Sequence, residues 1–168
     1  MQRDEALPVD LPASYQGGEL NARDLRVAIV AGGWHWPLAE QLIAGAESSY
    51  LSNGGERANL QVLIAPGSYE LPVICKGLLS KAEPPAAIVC LGVLIRGETL
   101  HYELIAQEVS RGLGALSREF ITPIGFGVLA VDRYELAAAR VGGAAGNKGD
   151  ESMTAAIQTA NLLRKLAG

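Results

Sequence analysis

Residues Ala86 to Glu103 read AAIVCLGVLIRGETLHYE. The first ten, Ala86 to Ile95, are an unbroken apolar run, and Arg96-Gly97-Glu98-Thr99 ends it abruptly. A short apolar run that gives way to glycine and polar residues reads as a buried parallel strand ending in a loop. In open α/β sheets, ligands bind outside the carboxyl ends of the strands. Gly97 allows close approach of the backbone to a ligand, and Thr99 supplies a hydroxyl. The N–H groups that open the next helix favour an anion. His101 falls in the first turn of that helix. The stretch therefore places an anion site and a proton-transfer group within one turn of each other.

Working outward, the same punctuation recurs. Leu25 to Ala31 (LRVAIVA) predicts a first buried strand, with Gly32-Gly33-Trp34-His35 as the loop after it. Pro37 suits the first turn of a helix, and Leu38, Leu42, Ile43 and Ala46 follow at helical spacing until Asn53-Gly54-Gly55. Leu60 to Ala65 predicts a second strand, ending in Pro66-Gly67-Ser68-Tyr69-Glu70, and a helix covers about Leu71 to Lys81. After the third strand a helix runs from about Leu100 to Phe120, with Leu104, Ile105, Val109, Leu113 and Leu116 inward. Pro123 to Leu129 is a fourth strand, and Tyr134 to Val141 a short helix. The loop Gly142 to Gly149 precedes a last helix from about Asp150 to Leu166. Such alternation implies a three-layer α-β-α sandwich around a four-stranded parallel sheet with right-handed crossovers. Residues 1–17, with Pro8, Pro12 and Gly17, read as a flexible arm, and residues 18–168 as one domain.

Composition bounds the function. The chain has 168 residues, 49% of them hydrophobic, with a formal net charge of −4 and a mean hydropathy of +0.18. So apolar a small domain is expected to hide surface in a subunit interface. An acidic chain without a basic run is a poor phosphate-backbone binder, so no nucleic-acid partner is expected. The longest apolar run is too short to span a bilayer, and the first residues carry no signal-peptide core. A cytoplasmic protein is expected, with Cys75 and Cys90 as reduced core thiols. Two histidines and two scattered cysteines lack ligand spacing for a metal. No GxGxxG or Walker sequence supports a nucleotide cofactor.

Three successive strand ends carry unusual residues: Trp34 and His35, then Gly67 to Glu70, then Arg96 to His101. On a parallel sheet these ends share one edge, so the residues converge. Each has a plainer reading. Trp34 offers a face to a flat ring or anchors packing. Glu70 faces a ligand or caps the following helix. His101 titrates near neutrality and suits general acid–base work, although a lone histidine is more often structural. Arg140 either clamps a phosphate or sits at a helix end. Gly146-Asn147-Lys148-Gly149 is a turn into a helix or a second anion contact.

GVLIRGETLHYE resembles the signature segment of the lumazine synthase family. The resemblance continues in APGSYELP, in FGVL followed by an aspartate, and in GNKG followed by an acidic residue and a helix. It spans about Gly18 to Leu166. It implies a flavodoxin-like fold and the penultimate step of riboflavin biosynthesis. In that step 5-amino-6-(D-ribitylamino)uracil and 3,4-dihydroxy-2-butanone 4-phosphate condense to 6,7-dimethyl-8-ribityllumazine, without a cofactor.

By the same resemblance, Trp34 stacks on the pyrimidine, and Ser68, Tyr69 and Glu70 hold the ribityl chain. Leu94, Ile95 and Arg96 line the pyrimidine, while Gly97, Glu98 and Thr99 form the phosphate-side loop. His101 moves protons. Phe126 and Arg140 come from an adjacent subunit, with Arg140 clamping the phosphate. Lys148 lies near the substrate with Glu151 as its acidic partner. The chain departs from the family pattern at Gly32-Gly33, His35, Leu100, Ala130-Val131 and Ala144, which bears on substrate affinity more than on identity.

The family further implies a pentamer, in many members closed into an icosahedral shell of twelve pentamers. A segment near Tyr15 to Leu20 adds a strand to the neighbour's sheet, and riboflavin synthase is an implied partner. Two other readings stand beside this one: a non-catalytic flavin- or lumazine-binding paralogue or storage shell, and another phospho-sugar enzyme on a similar sheet. The retained His101, Arg140 and Glu70 weigh against the first. Trp34 weighs against the second.

Overall fold

The computed structural model describes residues 16–168. Four parallel strands form the central sheet: β1 (Val27–Gly32), β2 (Leu60–Ala65), β3 (Ala87–Ile95) and β4 (Ile124–Val131). Their order is β2-β1-β3-β4. The switch in direction of the winding therefore falls between β1 and β3, where a crevice opens at the carboxyl ends. Five helices connect and cover the sheet: α1 (Trp36–Ser52), α2 (Leu71–Leu79), α3 (His101–Phe120), α4 (Tyr134–Ala138) and α5 (Lys148–Leu166). This is the flavodoxin-like α/β sandwich that the alternation predicts.

The strand sequences are apolar throughout because both faces of the sheet are covered. Successive side chains alternate between two cores. Val27, Ile29, Val89 and Leu91 pack with Leu38, Leu42, Tyr50, Met153 and Ile157 under α1 and α5. Ala28, Val30, Ile88 and Cys90 pack with Leu71, Cys75, Val109, Leu113 and Leu116 under α2 and α3. Glycine lets α5 lie close to β4: a Cβ at Gly125 would collide with the backbone carbonyl of Ser152. The Tyr50 hydroxyl donates to the Leu25 carbonyl at 2.7 Å, and burial pushes its phenol pKa up.

Cys75 and Cys90 are free and buried, with Sγ atoms 3.2 Å apart. Burial, then the neighbouring Cys75, holds the Cys90 thiol well above its ordinary pKa.

Several boundaries differ from the sequence reading. The 142–149 loop is a small antiparallel hairpin, β5 (Val141–Gly143) and β6 (Gly146–Asn147). α4 stops at Ala138 and α5 begins at Lys148. Asn147 explains the early start: its Oδ1 accepts from the Gly149 N–H at 2.8 Å, and its Nδ2 donates to the Gln41 carbonyl at 2.9 Å. One side chain thus caps α5 and ties it to α1. Asp150 and Glu151 in the first turn and Arg164 and Lys165 in the last complement the helix dipole.

Leu104 is not inward but 64% exposed. The buried stripe of α3 is Val109, Leu113 and Leu116, and Leu104 lies off that stripe, on the wall of a cleft.

Of the expected arm, residues 1–15 lie outside the described residues. Gln16 to Leu20 form no strand. They run along α5, where Asn161 Nδ2 donates to the Glu19 and Asn21 carbonyls at 2.7 Å. Lys165 pairs with Glu19 at 3.1 Å. Among the described residues no helix is long and apolar enough to cross a membrane.

Candidate functional site

The loops after β1, β2 and β3 meet around a cleft of about 1110 Å³. Trp34 and His35 come from the first loop and Gly67 to Glu70 from the second, while Leu94 and Ile95 end β3 and Gly97 and Thr99 come from the loop after it. His101 and Tyr102 open α3 and complete the wall. Parallel strands end on one edge, so three segments far apart in sequence become neighbours.

Each loop has a local cause. His35 adopts the left-handed conformation, φ 55° and ψ 47°, immediately before α1. Its carbonyl accepts from Leu38 and Ala39, starting that helix. The turn leaves the Trp34 indole 70% exposed on the cleft. Ser68 to Glu70 form one 3-10 turn, closed by the Leu71 N–H donating to the Ser68 carbonyl. Glu70 stands at the start of α2 but makes no side-chain cap bond. Its carboxylate lines the cleft. A Cβ built on Gly67 would lie 3.1 Å from both Glu70 Oε2 and Trp34 Cδ1. The indole edge and the carboxylate thus close on the same glycine.

At the end of β3, the Arg96 N–H donates to the Val131 carbonyl at 2.9 Å. The Arg96 guanidinium lies 3.5 Å from Asp132, joining the ends of β3 and β4. The His101 N–H reaches Thr99 Oγ1 at 3.4 Å, and Gly97 has open space where a side chain would stand. Free N–H groups at a glycine loop entering α3 suit an anion. Tyr102 donates to Glu103 Oε1 at 3.1 Å. Partial loss of solvent, then that bond and the charge on Glu103, push its phenol pKa up.

Not every expected residue reaches the cleft. Arg140 lies in a separate cavity of about 400 Å³ with Tyr102, Ala130, Val131, Asp132 and Leu136. Its Nη1 donates to the Leu136 carbonyl at 3.2 Å. Phe126, 42% exposed on the edge strand β4, lines neither cavity. Lys148 and Glu151 pair at 3.1 Å on the first turn of α5 and are also outside the cleft. Arg96 and Glu98 flank it without lining it.

Other residues line the cleft without having been picked out. Leu104, Gln107, Glu108 and Arg111 extend it along α3, and Arg111 pairs with Glu108 at 2.7 Å. Their three- and four-residue spacing is the legible signal of one helix face. Among the described residues no cluster of three or more His, Cys, Asp or Glu is placed to hold a metal ion.

The arrangement offers an aromatic face, a carboxylate, a glycine loop with unpaired N–H groups and an imidazole around one space. That set can hold a flat polar ring beside an anionic group and move protons between them.

Residues 24–164 match the sequence profile of 6,7-dimethyl-8-ribityllumazine synthase. Curated proteins of that name are similar over most of their length. One from Stenotrophomonas maltophilia (strain K279a) is 42% identical over 152 residues, 90% of this chain and 97% of its own. One from Aquifex aeolicus is 42% identical over 149 residues, covering 89% and 96%. One from Deinococcus radiodurans is 40% identical over 147 residues, covering 88% and 94%.

Proposed function

This chain belongs to the 6,7-dimethyl-8-ribityllumazine synthase family, and on that premise we propose that the cleft is where it builds the lumazine. The enzyme is a transferase of riboflavin biosynthesis. It condenses 5-amino-6-(D-ribitylamino)uracil with 3,4-dihydroxy-2-butanone 4-phosphate and releases phosphate and water. The observation that carries this reading is the convergence of Trp34, Ser68 to Glu70, Leu94, Ile95, Gly97, Thr99 and His101 on one cavity.

The roles follow from the groups. The Trp34 face holds the uracil ring, with Leu94 and Ile95 against it. Ser68, Tyr69 and Glu70 meet the ribityl hydroxyls. The backbone N–H groups from Gly97 to Thr99 hold the phosphate. The substrate amine attacks the ketone, water leaves to give an imine, phosphate is eliminated, and the second amine closes the ring onto the remaining carbonyl with loss of a second water. His101 passes the protons these steps exchange, a contribution of roughly 10²–10⁴-fold. Holding both substrates in register supplies much of the remainder.

Arg140 and Phe126 complete a site from an adjacent subunit, which accounts for their separation from the cleft of their own chain. The Arg140 guanidinium clamps the leaving phosphate. The Lys148–Glu151 pair lies near the substrate in the same assembly. We read residues 18–168 as one domain in a cytoplasmic pentamer or a shell of pentamers. The segment around Tyr15 to Leu20 pairs with a neighbouring sheet, and riboflavin synthase is a partner.

The test is absorbance of the lumazine chromophore on mixing purified protein with both substrates, against a control without protein. Product formed faster than the control, and slowed by Arg140→Ala, is expected. No acceleration, with tight binding of flavin or lumazine, would identify a non-catalytic binding protein instead.

A further inference from the structure

Among the described residues three polar side chains are buried: Ser49, Ser68 and Ser152. Two have partners. Ser49 Oγ meets Thr154 at 3.2 Å, and Ser152 Oγ donates to the Lys148 carbonyl at 2.6 Å. Ser68 is 5% exposed, lines the cleft, and has no side-chain hydrogen bond among the described residues. No hydrogen bond to the protein holds this hydroxyl and the atom is not sealed from solvent, so its place is set by packing.

What holds it is a gap in the sheet. β1 and β3 run in register up to Ala31 opposite Leu91, which brings Gly32 and Gly92 to the next rung. Both belong to the face that carries Val30 and Cys90. A Cβ on Gly92 would stand 2.5 Å from Ser68 Oγ. A Cβ on Gly32 would stand 3.1 Å from the Ser68 nitrogen and 3.3 Å from its Oγ. The missing side chains form a notch, and the Ser68 hydroxyl fills it. Ser68 is also the first residue of the turn that presents Tyr69 and Glu70, and its carbonyl closes that turn onto Leu71, which is fully buried. The depth of Ser68 therefore sets the height of the whole turn.

We propose that Gly92, with Gly32, is a positioning residue for the polyol-binding turn. The notch seats Ser68 and so controls affinity for the substrate that bears the ribityl chain, not for the one that bears phosphate. This rests on the assignment of Ser68 to Glu70 to the ribityl chain. Filling the notch lifts the turn, and displacements of this order at a binding segment are expressed in KM.

The experiment is a double-mutant cycle of Gly92→Ala and Ser68→Ala in the full-length protein, read by steady-state kinetics and thermal melting. Gly92→Ala alone is expected to raise KM for the ribityl pyrimidine roughly tenfold. KM for the butanone phosphate and kcat should stay within about threefold. In the Ser68→Ala background the nearest remaining Ser68 atom is its Cβ, 3.4 Å from the added methyl group. There Gly92→Ala should add little to KM and lower Tm less than it does alone.

An equal factor in both backgrounds, an equal rise in both KM values, no change at all, or loss of folding in both backgrounds would overturn the proposal. Calorimetric binding of the ribityl pyrimidine runs the same cycle without turnover. If the wild-type protein neither binds it nor makes lumazine, the functional reading fails. Coupling between the two substitutions in Tm would still decide the notch.

Discussion

The carboxyl edge of β1, β2 and β3 and the outer side of β4 both bear residues that the proposed function assigns to one substrate site. They bear them differently. Trp34, Ser68 to Glu70, Gly97, Thr99 and His101 line a single cleft within one chain. Phe126 sits on an edge strand and Arg140 in a cavity of its own. The first group is brought together by sheet topology, because parallel strands all end on one side. The second group has no such device among the described residues, and under the proposed function a second copy brings it to a cleft. A half-site made by a fold is rigid and self-contained, whereas a half-site made by association exists only in the oligomer.

The sharpest way to break this comparison is to separate the two halves. Arg140→Ala should lower kcat/KM for the phosphate substrate on the order of 10³-fold, since the charged clamp on the leaving group is lost. Trp34→Ala damages the other half. Subunits carrying the two changes, unfolded together and reassembled, should show about a quarter of wild-type kcat/KM for the pyrimidine, above the roughly one-tenth of Trp34→Ala alone. Random neighbours restore one intact pair in four when each site takes one half from each of two subunits. If the mixture falls below Trp34→Ala alone, cleft and clamp belong to the same chain, and the comparison fails.

His101→Ala tests the cleft side alone. Turnover should fall about 100-fold and not vanish, because positioning survives the loss of the proton carrier. Residual turnover equal to the uncatalysed condensation would give His101 a larger part than the cleft geometry assigns it. Trp34→Ala by itself should raise KM for the pyrimidine about tenfold with little change in KM for the phosphate substrate, as expected for a lost stacking face.

The smallest effect serves as a control at the far end of β4. Ile121 ends α3 in the left-handed conformation, φ 49° and ψ 41°, which is strained for a β-branched residue. Ile121→Gly should relieve about 1 kcal/mol and raise Tm by roughly 2–4 °C. It should leave the kinetic constants of both half-sites unchanged. A lower Tm would mean that the Ile121 side chain, 73% exposed in one chain, is covered in the assembled protein.

The sheet was legible because its signal is local. An apolar run such as Ala87 to Ile95 declares a strand buried on both faces, and Gly97, Pro37 and Pro72 mark where chains turn and helices begin. The cleft residues were legible for the same reason: they follow strands immediately. Leu104 was misplaced because an apolar side chain in a helix reads as core until the neighbouring stripe is known. The hairpin at Val141 to Asn147 was missed because short glycine-rich strands carry no periodicity. Asn147 caps α5 through contacts that reach back to Gln41, far outside any local window.

The sequence by itself determined the alternation of strands and helices, the loops that bear the chemistry and, through GVLIRGETLHYE, the family. These rest on hydrophobic period and turn chemistry, which act over a few residues. Only the tertiary structure decided the strand order, the face on which each loop lands, and the separation of Arg140 and Phe126 from the cleft. It also decided that Ser68 rests in a notch between Gly32 and Gly92. Those facts depend on which distant segments pack against each other, and packing at interior density is a property of the assembled core.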